Sequence, residues 1–307
     1  MDLSVLIATA HRPGLLERTL DSVAEARLPS GLRRVVVVEN GDSRSAPEVC
    51  ARFADRLPIE CHHLAQRGKG AATQFGLESI ATGLVVFFDD DVRIGTNVLT
   101  SYVEAAAEHG PDFFYGGPVS IDYEEAPPPW LLEFLPYSAR GWDWSVSDWR
   151  WFLGFNWAAF AEPALRLGGA PADLGPGARG RSNDSPTGME TAMQRRMVTA
   201  GMGLQYVPDA RVWHWVPKER CSPAWTVRRA HRNGISEGLH ASPNLIRWFG
   251  VPRWAVRALA ETGLARLAAL LRRGEPVDRF MPRWKMARVL GYLRGAWRSR
   301  QGSGSTR

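Results

Sequence analysis

Three consecutive carboxylates, Asp89-Asp90-Asp91, follow the apolar run Leu84-Val85-Val86-Phe87-Phe88. Carboxylates this close repel one another unless a cation neutralises them. A hard divalent metal carrying a phosphate ligand meets that need. Mg2+ and Mn2+ take oxygen ligands and share them with substrate phosphates. The competing reading is a solvated acidic turn. A buried strand over 84–88 argues for the metal, because open α/β sheets bind ligands at the C-terminal ends of their strands. Other chemistry-bearing residues stand at similar junctions. Thr9 and Glu39 close apolar runs, Lys69 sits in the glycine-rich stretch Arg67-Gly68-Lys69-Gly70, Glu190 follows Gly188-Met189, and His214 lies between Trp213 and Trp215. For each there is a plainer alternative: a turn acid, a solvated lysine, an acid favoured by a helix macrodipole, a core histidine.

The elements that must position these residues read as alternating strands and helices. Strands are expected over 3–9, 34–39, 59–64 and 84–88, with helices over 13–26, 46–56, 70–82 and 97–109. The four valines 35–38 suit a strand buried on both faces. This alternation predicts a mostly parallel sheet flanked by helices. Residues 126–160 hold three prolines in a row and six tryptophans, and read as a long loop or short helices. Residues 171–188, rich in Gly, Pro and Ser, read as a flexible segment. A helix over 191–200 and strands over 204–207 and 210–215 follow. Beyond 223 the pattern is helical, with breaks at Pro243, Pro252, Gly274-Glu275-Pro276 and Pro282. The boundaries expected are a domain over 1–220, a basic, Trp-containing helical extension over 221–300 and a disordered tail over 301–307.

Charge is unevenly spread. Residues 217–307 carry 19 Lys/Arg against 5 Asp/Glu, and the remaining chain nets −8 within an overall +6. Basic residues there alternate with Trp and Leu, which suits an anionic membrane surface. Nucleic acid is the weaker alternative, since no recognised motif accompanies the charge. No apolar stretch is long enough for a transmembrane span. Met1-Asp2 runs straight into a strand-like segment, which reads as the lack of a secretory signal. Three scattered cysteines fit neither a zinc site nor a disulfide framework. The setting expected is cytoplasmic, with peripheral contact at the inner face of the membrane.

In this order and spacing the motifs resemble family-2 inverting glycosyltransferases over residues 3–216. The carriers are Ala8-Thr9-Ala10-His11-Arg12, Glu39-Asn40-Gly41-Asp42-Ser43, Arg67-Gly68-Lys69-Gly70-Ala71-Ala72, Asp89-Asp90-Asp91, Gly188-Met189-Glu190 and Val212-Trp213-His214. The resemblance implies the nucleotide-sugar-binding fold called GT-A and a metal-dependent transfer from a uridine-diphosphate-linked donor to an unknown acceptor, with Mn2+ or Mg2+. Asp91 would then hold the metal, with His214 as an imidazole ligand. Asp89 would face the ribose or order the metal's waters. Thr9, Glu39, Lys69 and Asp90 would bind the nucleotide, and Glu190 would be the general base. Glu190 stands where the family has aspartate, and Met189 where it has glutamate. Gly154-Phe155-Asn156 partly echoes an acceptor segment, so Trp151, Asn156 and Trp157 are acceptor-site candidates. Arg228, Arg229 and His231 are candidates for the diphosphate. The Gln-x-x-Arg-Trp motif of processive members is not in the sequence, which implies transfer of single sugars. Two other readings stay open: a nucleotidyltransferase of similar fold, which the glycine-poor turn after the first strand disfavours, and a non-catalytic nucleotide-sugar-binding or scaffold protein.

Overall fold

The computed structural model describes residues 1–147, 149–178, 188–239, 247–248, 251–271 and 275–302, which fall into two compact units. The first unit comprises Met1–Tyr123, Pro136–Ser182 and Gly188–Val216. It is α/β, as the alternation predicts. Strands β1 (Leu3–Thr9), β2 (Leu32–Asn40), β3 (Ile59–Leu64) and β4 (Leu84–Asp89) are parallel, in the order β3-β2-β1-β4. β1 and the 35–40 stretch of β2 are buried throughout, which is why both read as unbroken apolar runs. Helices α1 (Pro13–Glu25), α2 (Ala46–Ala51), α3 (Lys69–Ile80) and α4 (Val98–His109) connect and cover them.

Beyond β4 the sheet changes character. β5 (Val92–Ile94), β6 (Phe113–Gly116), β7 (Val119–Tyr123) and β8 (Trp157–Phe160) were not foreseen as strands. β8 pairs antiparallel with β4 and β6, and β6 pairs parallel with β9 (Gly203–Tyr206). A second sheet, in the order β5-β10-β7, is built around β10 (Val212–Val216). The stretch 126–160 is short helical turns, including α5 (Tyr137–Arg140), ahead of β8. Helices α6 (Ala161–Arg166) and α7 (Met189–Thr199) complete the unit.

Residues 171–178, expected to be flexible, are clamped on the first turn of α3. Lys69 N–H donates to Pro176 O at 3.0 Å, and a Cβ on Gly70 would run into Pro171 O. The rest of that expected segment, up to 187, lies outside the described residues.

The second unit comprises Glu124–Leu135, Asn183–Thr187 and Pro217–Arg307. It contains α8 (Pro223–Leu239), a small pair β11 (Arg247–Trp248) and β12 (Val251–Pro252), α9 (Arg253–Leu271) and α10 (Pro276–Gly302). α8 and α10 cross closely because glycines face backbone. Side chains at Gly234 and Gly238 would strike the carbonyls of Arg288 and Tyr292, and at Gly291 and Gly295 those of His231 and Ile235. The break expected at Pro282 does not occur, since α10 runs through it. The proline forfeits its own helical hydrogen bond, and after it the helix packs tightly on α8, from Ala287 onward. The tail expected over 301–307 is contradicted at its start, where 301 and 302 close α10; its remainder and the break expected at Pro243 lie outside the described residues. Among the described residues no helix is long and apolar enough to cross a membrane.

Candidate active site

The strand order reverses between β1 and β4, so a crevice opens at their C-terminal ends. Thr9 ends β1, Asp89 ends β4, and Asp90 and Asp91 follow in the turn to β5. Two buried hydroxyls on α1 fix that turn. Val92 N–H donates to Thr19 Oγ1 at 3.2 Å, and Ile94 N–H to Ser22 Oγ at 3.1 Å. From the other side Trp215 N–H donates to Asp91 O at 2.8 Å. The acids are therefore held by backbone on both flanks.

Their charges are met by two cations from distant parts of the chain. Thr9 Oγ1 donates to Asp90 Oδ2 at 2.6 Å, and Arg12 Nε to the same oxygen at 3.1 Å. Arg12 Nη1 reaches Asp91 Oδ2 at 2.7 Å. His11 adopts a left-handed φ of 56°, uncommon outside glycine, in the turn that brings Arg12 back over the acids. On the other side Lys69 Nζ lies 2.6 Å from Asp89 Oδ1 and also pairs with Glu190 Oε1. Burial alone would lower the lysine's pKa, but Asp89 and Glu190 hold it above its usual range. Burial, then the neighbouring carboxylates, raise Asp89 despite Lys69. Asp90, buried and crowded by Asp91, is raised to about 7 even with Arg12 beside it.

His214 stands over the cluster from β10. Its Nε2 is 3.3 Å from Asp91 Oδ1, its Nδ1 is 2.6 Å from Ser138 O, and Phe155 stacks on the ring with centroids 4.4 Å apart. A carbonyl oxygen can only accept, so Nδ1 carries a proton and Nε2 is the atom turned to the acids. Glu190 lies in the first turn of α7, where the macrodipole favours its charge. Gly154 makes room for it, because a Cβ there would strike the Glu190 carboxyl. Met189 is buried in the core, so its departure from the resembled motif removes an acid that would point into packing rather than into the crevice.

The structure thus brings Thr9, Lys69, Asp89, Asp90, Asp91, Glu190 and His214 together. Glu39 is 1% exposed and engaged elsewhere. Its carboxylate accepts from Ser45 N–H at 3.2 Å and Ala46 N–H at 3.0 Å, tying down the start of α2. Two acceptor candidates are corrected. Asn156 is fully buried, accepting from Tyr102 Oη at 2.7 Å and donating to the Pro118 and Ala210 carbonyls. Trp157 is 1% exposed and stacks on Phe87 at 4.4 Å. Both are core residues, because β8 is a central strand and not a loop. Trp151 is half-buried, under the Arg195 guanidinium at 5.7 Å. Arg228, Arg229 and His231 lie on α8 of the second unit. Arg12 and Gly154 were passed over as site residues, although both stand inside quoted motifs. Periodicity carries no sign of either, since Arg12 acts across 78 residues and Gly154 by lacking a side chain.

Among the described residues no three His, Cys, Asp or Glu side chains are arranged as a ready metal site, but the donor types gathered here are those a hard divalent cation takes. Four carboxylates, Asp89, Asp90, Asp91 and Glu190, face two cations, Arg12 and Lys69, and the ligands on offer are carboxylate oxygens and one imidazole nitrogen.

Comparison with known proteins bears on the family and the fold. A family model described as Glycosyl transferase family 2 matches residues 4–162. The succinoglycan biosynthesis protein ExoM of Rhizobium meliloti (strain 1021) is 27% identical over 244 residues, spanning 78% of this chain and 74% of that protein. The mannosyltransferase PcManGT from Pyrobaculum calidifontis, solved in complex with GDP-Man and Mn2+, aligns at a TM-score of 0.59 and 22% identity, over 96% of this chain and 87% of that one. S. aureus TarS 1-349 in complex with UDP-GlcNAc aligns at 0.52 and 15% identity, over 98% and 92%. At these identities the likeness to the solved structures is one of fold.

Proposed function

The chain belongs to glycosyl transferase family 2, has the GT-A fold and is a glycosyltransferase using a nucleotide-sugar donor; from that premise we propose that it transfers a sugar from a uridine-diphosphate-linked donor to an acceptor hydroxyl, with inversion and with the help of Mn2+ or Mg2+. The clustering of Asp89, Asp90, Asp91 and Glu190 with His214 at the ends of β1 and β4 carries this reading, because it gathers carboxylate oxygens and an imidazole nitrogen, the donors a hard divalent ion takes. Asp91 and His214 would hold the ion, with Asp89 beside it, and the ion would neutralise the leaving diphosphate.

The chain's own residues do the rest. The acceptor oxygen attacks the anomeric carbon as the bond to the diphosphate oxygen breaks with its electron pair. The hydroxyl proton passes to the Glu190 carboxylate as general base. Lys69, bridging Asp89 and Glu190, is placed to turn its ammonium towards the phosphates when the donor arrives. Thr9 and Arg12 keep Asp90 and Asp91 in position. The uridine preference rests on the family resemblance. The basic second unit would lie against an anionic membrane surface.

Slow donor hydrolysis without acceptor tests the reaction. Uridine, guanosine and thymidine diphosphate α-sugars are incubated with the protein and Mn2+, and the released sugar is followed by NMR. Inversion predicts β-anomer first, from the uridine donor. α-Anomer first would contradict inversion, and release from a guanosine or thymidine donor alone would replace the uridine assignment.

A further inference from the structure

A second cleft, of about 460 Å3, opens in the first unit between β7 and the segment that follows α5. Its size falls in the range of about 300–1,000 Å3 typical of small-molecule sites. Val119, Ile121 and Trp142 form an apolar floor, and Tyr123 and Tyr137 add aromatic walls. The rim is polar and already organised. Asp143 Oδ1 accepts from Ser145 N–H at 3.0 Å and from Tyr206 Oη at 2.9 Å. Its other oxygen lies 3.5 Å from Arg211 Nη2, and Arg211 Nη1 donates to Ser120 Oγ at 3.0 Å. Arg140 lies over the Tyr137 ring at 4.4 Å.

We propose that this cleft binds the sugars behind the reacting residue of an oligosaccharide acceptor. Pyranose rings have apolar C–H faces and hydroxyl edges, matching a lining in which the half-buried Ile121, Tyr123 and Tyr137 supply apolar surface beside a fixed polar rim. Continuity with the reaction centre supplies the second argument. Ser138, whose carbonyl accepts the hydrogen bond from His214 Nδ1–H, belongs to α5, and Tyr137 and Arg140 of that same short helix line the cleft. An acceptor whose hydroxyl reaches Glu190 would need somewhere nearby for the rest of its length. An extended peptide fits less well, because Trp142 already pairs with the β7 edge through mutual N–H to O bonds with Val119 at 2.7 and 2.8 Å. The inference rests on the transferase reading and specifies its acceptor as a chain of at least two sugars.

The test is calorimetry on the full chain with mono-, di- and tetrasaccharides of glucose, galactose and mannose, with uridine diphosphate and Mn2+ titrated separately. At least one di- or tetrasaccharide should bind about tenfold or more tighter than its monosaccharide. Arg211→Ala should remove that gain by taking away the rim. Val146→Arg should remove it by filling the mouth, at a position 86% exposed that tolerates the change. Nucleotide affinity should hold in both variants. No gain with length, or a gain that survives both substitutions, overturns the cleft assignment. A length gain without nucleotide binding would instead leave the cleft standing and remove the transferase reading.

Discussion

Replacing Glu190 by Gln keeps its size and its hydrogen bonding but removes the proton acceptor. General-base assistance is worth about 10²–10⁴-fold, so turnover should fall by that order while donor affinity holds. Glu190→Asp should retain partial turnover, since it shortens the reach and keeps the base. Turnover and donor binding measured separately on both variants decide this, and wild-type turnover in Glu190→Gln would move the base elsewhere. Glu39 makes a different claim, about stability. Burial works against its charged form, but hydrogen bonds from Ser43, Ala46 and Ser45 outweigh that and hold its carboxyl below the usual range. A group with a depressed folded pKa contributes stability that is present above its unfolded pKa of about 4.3 and is lost as pH falls through the folded value. Glu39→Gln should therefore lower the denaturation midpoint more at pH 7 than at pH 3. An equal loss at both pH values would show that Glu39 acts by packing alone.

At the scale of elements, the crossing of α8 and α10 depends on the absence of side chains. Gly291→Ala puts a methyl into His231 O, and overpacking of this kind costs about 1–3 kcal/mol. Gly263, inside α9, has open space around it, so Gly263→Ala should raise stability by about 0.5–1 kcal/mol. Denaturant unfolding of the two variants should give shifts of opposite sign. The parallel half of the first unit was legible because β1, β2 and β4 are buried on both faces and write continuous apolar runs. β5 was not, since Val92–Ile94 is too short for a period to show; β7, Val-Ser-Ile-Asp-Tyr, alternates apolar and polar throughout and was overlooked beside the proline-rich stretch that follows it. β8 was hidden inside a tryptophan-rich stretch whose composition suggested a loop, so nothing in the pattern marked Asn156 and Trp157 as core. The acid cluster itself was legible as a junction of strand and carboxylates. Its counter-cations were only half so. Lys69 stood at a helix start, while Arg12 needed the left-handed turn at His11 to reach Asp90 and Asp91.

For the molecule as a whole, charge and exposure in the second unit bear on where it works. Residues 217–307 carry a net +14, and Trp254, Leu264, Leu267 and Trp297 are exposed there. Flotation with anionic vesicles should recover more protein than with neutral ones at low salt, and the difference should shrink as salt screens the charges. Equal recovery with both vesicles would rule out this attachment. The central claim is that the acid cluster holds a divalent ion and, through it, a nucleoside diphosphate. Ligands that bind only the folded state report on such a site directly. Titration calorimetry of uridine diphosphate into the wild type and Asp91→Asn, each with Mn2+ and with chelator, measures that linkage. Tight binding is expected only in the wild type with Mn2+, weakening by about tenfold or more when either Asp91 or the metal is removed. Binding of equal strength in chelator, or in Asp91→Asn with Mn2+, would contradict it.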